Sequence, residues 1–216
     1  MRDSLKSKEY FDNFISEDSK RISCFEDNLT NGKVASARIG RIKEKVFLLK
    51  LGVFIAKYSR GDDVLLLNKE FESLFDTWAN TFNVNNYDTN LKMLSLSILF
   101  NFDKKLDEIK TKLNNVEDWL FYYILIGENN FKLVYPAHYE KLQAVLKQND
   151  TSMLTDYVKT SWFNEELECF FSHKSTENLY YGYWCFEVAA IIKKMKIDDS
   201  ELKDIQFYPY DLVHFE

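Results

Sequence analysis

The sequence predicts an all-α protein: an antiparallel helical bundle with an N-terminal long-helix hairpin and a C-terminal multi-helix domain. Three observations predict it. The 216 residues include only 6 Gly and 2 Pro, too few breakers for a sheet with many turns. Apolar residues recur at steps of three and four, the period of a helix with one covered face. A content of 46% hydrophobic and 16% aromatic residues supplies a bulky core for one large domain or two small ones.

The first helix is expected over about Ser4 to Leu29, with a seam at Phe11, Ile15, Ile22, Phe25 and Leu29 and Asp18 in the missing step. Asn31 and Gly32 stop it. A second seam alternates steps of four and three through Ala35, Ile39, Ile42, Val46, Leu49, Val53 and Ala56. That spacing is coiled-coil-like, and the short connection predicts an antiparallel hairpin. Gly40 and Gly52 lie inside this helix, a cost in propensity that is offset if a neighbour approaches closely. Gly61 breaks the chain again, and Asp62 or Asp63 caps a third helix carrying Leu67, Phe71, Leu74, Trp78 and Phe82. The polar run from Asn83 to Asn90 marks a boundary between a domain of residues 1–83 and one of residues 84–216.

Beyond it, the apolar run Leu91 to Phe100 reads as a buried helix, by its length and its helical neighbours. Phe102 to Leu113 reads as a short amphipathic helix. Asn114 with Glu117 has capping-box spacing ahead of the run Trp119 to Gly127. Pro136 suits the first turn of a helix ending near Lys147. Asp150 or Ser152 starts a longer helix through Leu154, Tyr157, Val158, Ser161, Trp162, Glu165, Cys169 and Phe170. A last long helix is expected from Tyr181, with a stripe at Tyr181, Trp184, Val188, Ile191 and Met195. Glu187 sits inside that stripe, so its carboxyl is either paired or neutral. In the tail, Asp198 with Glu201 has capping-box spacing, Pro209 stops regular structure, and Tyr208 and Tyr210 fold back on the domain.

The formal net charge of -6 is uneven. Residues 1–83 hold 14 Lys+Arg against 13 Asp+Glu, whereas residues 84–216 hold 14 against 21. An acidic second part argues against nucleic-acid binding there and permits a basic protein partner. The cysteines Cys24, Cys169 and Cys185 are odd in number and dispersed, which fits reduced thiols in a cytoplasmic protein. Met1 to Tyr10 lacks the apolar stretch of a signal peptide, and no apolar run approaches about 18 residues, so no membrane span is expected.

Few patterns carry chemistry. His138, His173 and His214 share no helical turn, so no metal site is predicted. Cys169 and His173 are four apart but lack a third orienting group. Glycine-rich phosphate loops are absent, and no cofactor is expected. The acidic pairs Asp62–Asp63, Glu165–Glu166 and Asp198–Asp199 read first as caps and solvated faces. Glu165 and Glu168 share a helix face and Glu166 points elsewhere.

Three blocks stand out: YGYWCFEVAA (Tyr181 to Ala190), IDDS (Ile197 to Ser200) and YPYDL (Tyr208 to Leu212). Together they resemble the C-terminal domain of PoNi-type immunity proteins. The opening RDSLKSKEYF (Arg2 to Phe11), followed by two long helices, is similar to the N-terminal domain of that family. The resemblance covers nearly the whole chain. It implies an all-helical protein without enzymatic activity, a bacterial immunity protein against the polymorphic toxin encoded beside it. That toxin type is PoNe, a DNase of the PD-(D/E)xK nuclease superfamily. Candidate toxin contacts are the acids Glu165, Glu166, Glu168, Asp198, Asp199, Asp204 and Asp211. Tyr181, Trp184, Glu187 and Pro209 are expected as scaffold, with the Pro209 segment as a clasp. Two other readings stay open: a helical scaffold or adaptor pairing through its heptad seam, and a hydrolase using carboxylates such as Glu187 and Asp198. Monomer and homodimer are both open.

Overall fold

The computed structural model describes residues 1–113, 116–127, 130–148, 151–165 and 172–216, with Thr151 and Glu165 described by backbone alone. Among these residues the chain is helical, and its β pairing is an isolated bridge between Asp118 and Lys132. Two compact units form: Met1–Phe82 with Phe171–Gly182, and Asn83–Phe170 with Tyr183–Glu216.

The first unit is built on α1 (Lys8–Thr30), α2 (Ile39–Arg60) and α3 (Val64–Thr81). The Ser7 hydroxyl caps α1 by accepting from the Tyr10 amide, and the Asp63 carboxylate caps α3 by accepting from Leu65 and Leu66. Each cap satisfies helix N–H groups that have no intrahelical partner. The predicted seam is the contact between α1 and α2: Ile22, Val46 and Val53 are buried, with Ile15, Phe25, Ile42 and Leu49 packed against them. Asp18, in the apolar gap, is 7% exposed and pairs with Arg21 at 2.6 Å.

The seam is shorter than its sequence pattern. Ala35 stays exposed, because residues 31–38 form a turn at Asn31–Gly32 and a 3-10 turn at Ser36–Arg38, which lack the 3.6-residue period, and Ile39, the first residue of α2, is exposed as well. Gly40 has open space where a Cβ would stand, so close approach does not explain it. Gly52 does face neighbours: a Cβ there would lie 3.6 Å from the Tyr181 ring and 3.7 Å from Phe14.

The N-terminus and residues 172–182 complete this unit. Tyr180 is buried; its N–H donates to the Tyr10 hydroxyl, which donates in turn to the Tyr180 carbonyl, and its own hydroxyl donates to the Asp3 carboxylate. Ser59 Oγ donates to the Tyr181 carbonyl at 2.8 Å. Gly61 ends α2 at φ 101°, and a Cβ there would fall 2.9 Å from Met1 Cα.

The second unit contains α4 (Tyr87–Leu99), α5 (Asp107–Leu113), α6 (Trp119–Ile126), α7 (Pro136–Gln148), α8 (Thr151–Asp156), α9 (Trp162–Glu165), α10 (Phe186–Met195) and α11 (Tyr210–Val213). The apolar run 91–100 is a buried helix, as its length suggested, and α10 packs along it while touching α6 and α11. Several expectations need correction. Asn114 lies outside the described residues, and α6 is capped by Asp118, whose carboxylate accepts from Phe121. Asp150 also lies outside them. The long helix expected from there is α8, a π-helical turn at Tyr157–Ser161 and α9, with Cys169 and Phe170 outside the described residues. The helix expected from Tyr181, α10, starts at Phe186. Gly182 has φ 121°, which breaks the helix, so Tyr181 and Trp184 stand on irregular chain ahead of it. Met195, the stripe's last member, is 45% exposed.

Two substitutions test the first unit. Val46→Asp puts a charge in the buried seam and is expected to unfold the unit, by roughly 3 kcal/mol or more; a folded monomer from a wild-type oligomer, seen by sedimentation, would make the seam an interface. Gly61→Ala adds strain at positive φ and a backbone clash, and a loss of about 1–3 kcal/mol should lower the thermal midpoint.

Candidate functional site

The ionisable residues singled out by sequence fall into two groups, those built into the second unit and those left at its surface. Glu187 belongs to the first. It sits in the first turn of α10, 7% exposed, with its Oε1 accepting from the Trp162 indole N–H at 2.5 Å. The π turn immediately before Trp162 sets where that indole stands, because an extra residue in a turn re-aims the side chains after it. Burial drives the Glu187 pKa up from 4.5 to about 7, against the opposing pull of its own backbone N–H, the indole and Lys92.

The last turn of α10 has the opposite task. Lys193 Nζ donates to the carbonyls of Leu99 at 2.6 Å, Leu212 at 3.3 Å and Phe215 at 2.6 Å. Lys194 Nζ donates to the Ile124 carbonyl at 2.7 Å and to that of Leu125. These carbonyls lie at or near the ends of α4, α6 and α11, where the helix has few N–H groups left to offer; that of Leu212 also accepts from the Phe215 amide at 3.4 Å. Burial lowers the Lys193 pKa to about 8. The sequence reading missed this role, because two adjacent lysines on an amphipathic helix look like solvated charge.

Asp199 is also internal. It is 4% exposed, accepts from the Tyr208 hydroxyl at 2.7 Å, and lies 2.9 Å from His214 Nε2. Cys185 completes the same tie: its N–H donates to the Phe207 carbonyl at 3.0 Å and its thiol to the same oxygen at 3.3 Å. Phe207 takes φ 69°, and the buried Pro209 precedes the short α11. Pro209 therefore starts a helical turn rather than ending regular structure, which fits its preference for helix N-termini. Trp184 is buried at 8% and Tyr181 half-buried. Asp118, unnoticed in the sequence, is fully buried and accepts from Phe121 at 3.0 Å, Val134 at 2.7 Å and the Tyr87 hydroxyl at 3.1 Å.

The remaining acids differ. Asp198 and Asp204 are exposed, and Asp211 is half-buried. Asp198 does not act as the cap of the 3-10 turn at Ser200–Leu202; Asp199 occupies that position, and Asp198 accepts from the Ser200 amide at 3.1 Å. Glu166 and Glu168 lie outside the described residues, and Glu165 ends α9. Among the described residues no three His, Cys, Asp or Glu side chains converge as metal ligands, and no helix is long and apolar enough to cross a membrane.

The geometry is that of a helical protein in which the buried acids and lysines tie secondary structure together. Comparison with known families makes the assignment. The model of the C-terminal domain of PoNe immunity proteins (PoNi) matches residues 116–212, and that of the N-terminal domain matches residues 2–111. The chain belongs to the PoNe immunity protein family. The crystal structure of protein PA2201 from Pseudomonas aeruginosa is similar in fold, with a TM-score of 0.71 at 15% identity, over 93% of this chain and 86% of that one. No curated protein matches the chain.

Glu187 generates a pH prediction. The folded state holds a proton on this carboxyl up to about pH 7, whereas the unfolded chain releases it near 4.5. Between those values the native state binds more protons, so stability falls as pH rises, by up to about 3 kcal/mol. Glu187→Gln keeps an oxygen for the Trp162 indole and should flatten that fall. Urea melts from pH 4 to 8 on both proteins check it; equal slopes would exclude Glu187 as the source.

Proposed function

We propose that this immunity protein binds the DNase toxin of its own system and neutralises it by occupying surface the toxin needs, with no catalytic step of its own. The observation that carries the reading is the match of both immunity-family models, which together span the chain. Two physical features support it. The acidic excess lies in residues 84–216, and a DNA-cutting domain needs positive surface to hold phosphates. The buried carboxylates are held by structural partners: Glu187 by Trp162, Asp199 by Tyr208 and His214, Asp118 by two amides and Tyr87.

An acidic helical protein approaching a basic nuclease is steered by charge, which raises the rate of encounter more than the final affinity. Asp198 and Asp204 are exposed and suited to that role, joined by the acidic run 165–168 on its charge. Asp199 is left out, since the Tyr208 and His214 contacts hold it inside. Affinity then rests on anchors buried in the contact.

Co-expression with the neighbouring toxin gene is expected to restore survival and yield a one-to-one complex. Association should slow roughly tenfold between low and physiological salt, and Asp198→Lys with Asp204→Lys should slow it further with little change in dissociation. A rate indifferent to ionic strength removes charge steering; neither survival nor co-purification removes the reading.

A further inference from the structure

The first unit carries a groove that charge steering by an acidic surface does not use. It is lined by α1, by Arg38 of the 3-10 turn, by α2 from Arg41 to Gly52 and by residues 178–181, and has a volume of about 680 Å³. That lies within the range of sites taking a compact ligand or a few side chains. Phe14 is buried in its wall and Phe25 half-buried. Two large aliphatic residues are left open to solvent there: Leu48 is 43% exposed and Leu179 is 53% exposed. Exposed aliphatics gathered in one concave site, unlike scattered ones, signal a contact surface.

The groove is also positively charged, on a chain that is acidic as a whole. Its lining holds Arg21, Arg38, Arg41 and Lys45 against Asp18 and Glu44. Arg21 and Asp18 neutralise one another at 2.6 Å, which leaves three cations facing one carboxylate. Arg38 and Arg41 are exposed and make no ion pair among the described residues. Helix cohesion explains neither the open leucines nor these guanidiniums, because the α1–α2 seam is already filled by Ile22, Val46 and Val53.

We propose that this groove docks an acidic amphipathic segment of the toxin protein, its apolar anchors entering between Leu48 and Leu179 and its carboxylates meeting Arg38 and Arg41. The proposal rests on the immunity reading and names a second contact of opposite sign. Arginine suits it, because a guanidinium meets a carboxylate with two parallel hydrogen bonds. An amphipathic helix seated by its apolar face in a groove is a recurrent mode of recognition. Nucleic acid fits less well: single strands stack on exposed aromatics, whereas the exposed apolar residues here are leucines.

The test compares wild type with Arg38→Glu/Arg41→Glu, Leu48→Asp, and the control Lys20→Glu/Lys33→Glu, which makes the same charge change at exposed positions outside the groove. The toxin co-expressed from the neighbouring gene is the probe, and circular dichroism confirms folding. Both groove variants should weaken the complex by about a hundredfold or more, mainly through faster dissociation, and the control by less than about threefold. Groove variants that bind like wild type overturn the groove while leaving the immunity reading intact. Wild type that fails to bind the toxin overturns both. A wild-type dimer that Arg38→Glu/Arg41→Glu separates assigns the groove to a second copy and overturns the proposal. Binding of a DNA duplex by wild type, lost in the double variant, does the same.

Discussion

Helix ends are the weak points of a bundle, and the second unit depends on how they are closed. The final carbonyls of a helix have no amide left to accept from, and burying them unpaired costs about 1–3 kcal/mol each. Lys193 and Lys194 close this gap with two ammonium groups one residue apart. They reach the carbonyls of Leu99, Ile124, Leu125, Leu212 and Phe215. Their placement in the last turn of α10 suits its own dipole as well. One short helix thereby meets the ends of its neighbours, and its packing on α4, α6 and α11 buries it from Phe186 through Ile192.

The same helix carries the contrasting group at its other end. Glu187 is as enclosed as the apolar residues around it and accepts from the Trp162 indole. Enclosure raises its pKa, which favours the neutral carboxyl. Asp118 shows a second solution to the same problem. Two amides and a phenol surround it, so its carboxylate caps α6, ties the 134 segment and fixes Tyr87 at once. In both cases a polar group inside the core specifies which elements meet, at the expense of desolvation.

Much of the first unit was legible because it is written in spacing. Alternating steps of four and three from Ile42 to Val53 can be satisfied by a partner helix alone, and α1 supplies it. Asp63 and Gly61 were legible as punctuation because capping and positive φ each favour few residue types. The stretch Tyr181 to Cys185 misled for the same reason. Apolar residues three apart satisfy a helical template, but Gly182 at positive φ breaks it, and the hydrogen bond from Cys185 to Phe207 holds the chain out of the helix. The candidate contacts were legible only as composition. Asp198 and Asp199 are adjacent and identical, yet one faces solvent and the other is enclosed by Tyr208 and His214. Nothing local separates them, since the difference is made by a tail about ten residues away.

The hydrogen bond from Tyr180 to Asp3 spans 177 positions of sequence. Synthesis proceeds from the amino end, so the opening residues leave the ribosome long before their partner is made. Helices α1 to α3 can gather early, but their final tyrosine lining arrives only after most of the other unit has been translated. Ribosome stalling before Tyr180 would therefore leave both units unfinished together, however much of the polypeptide had already emerged.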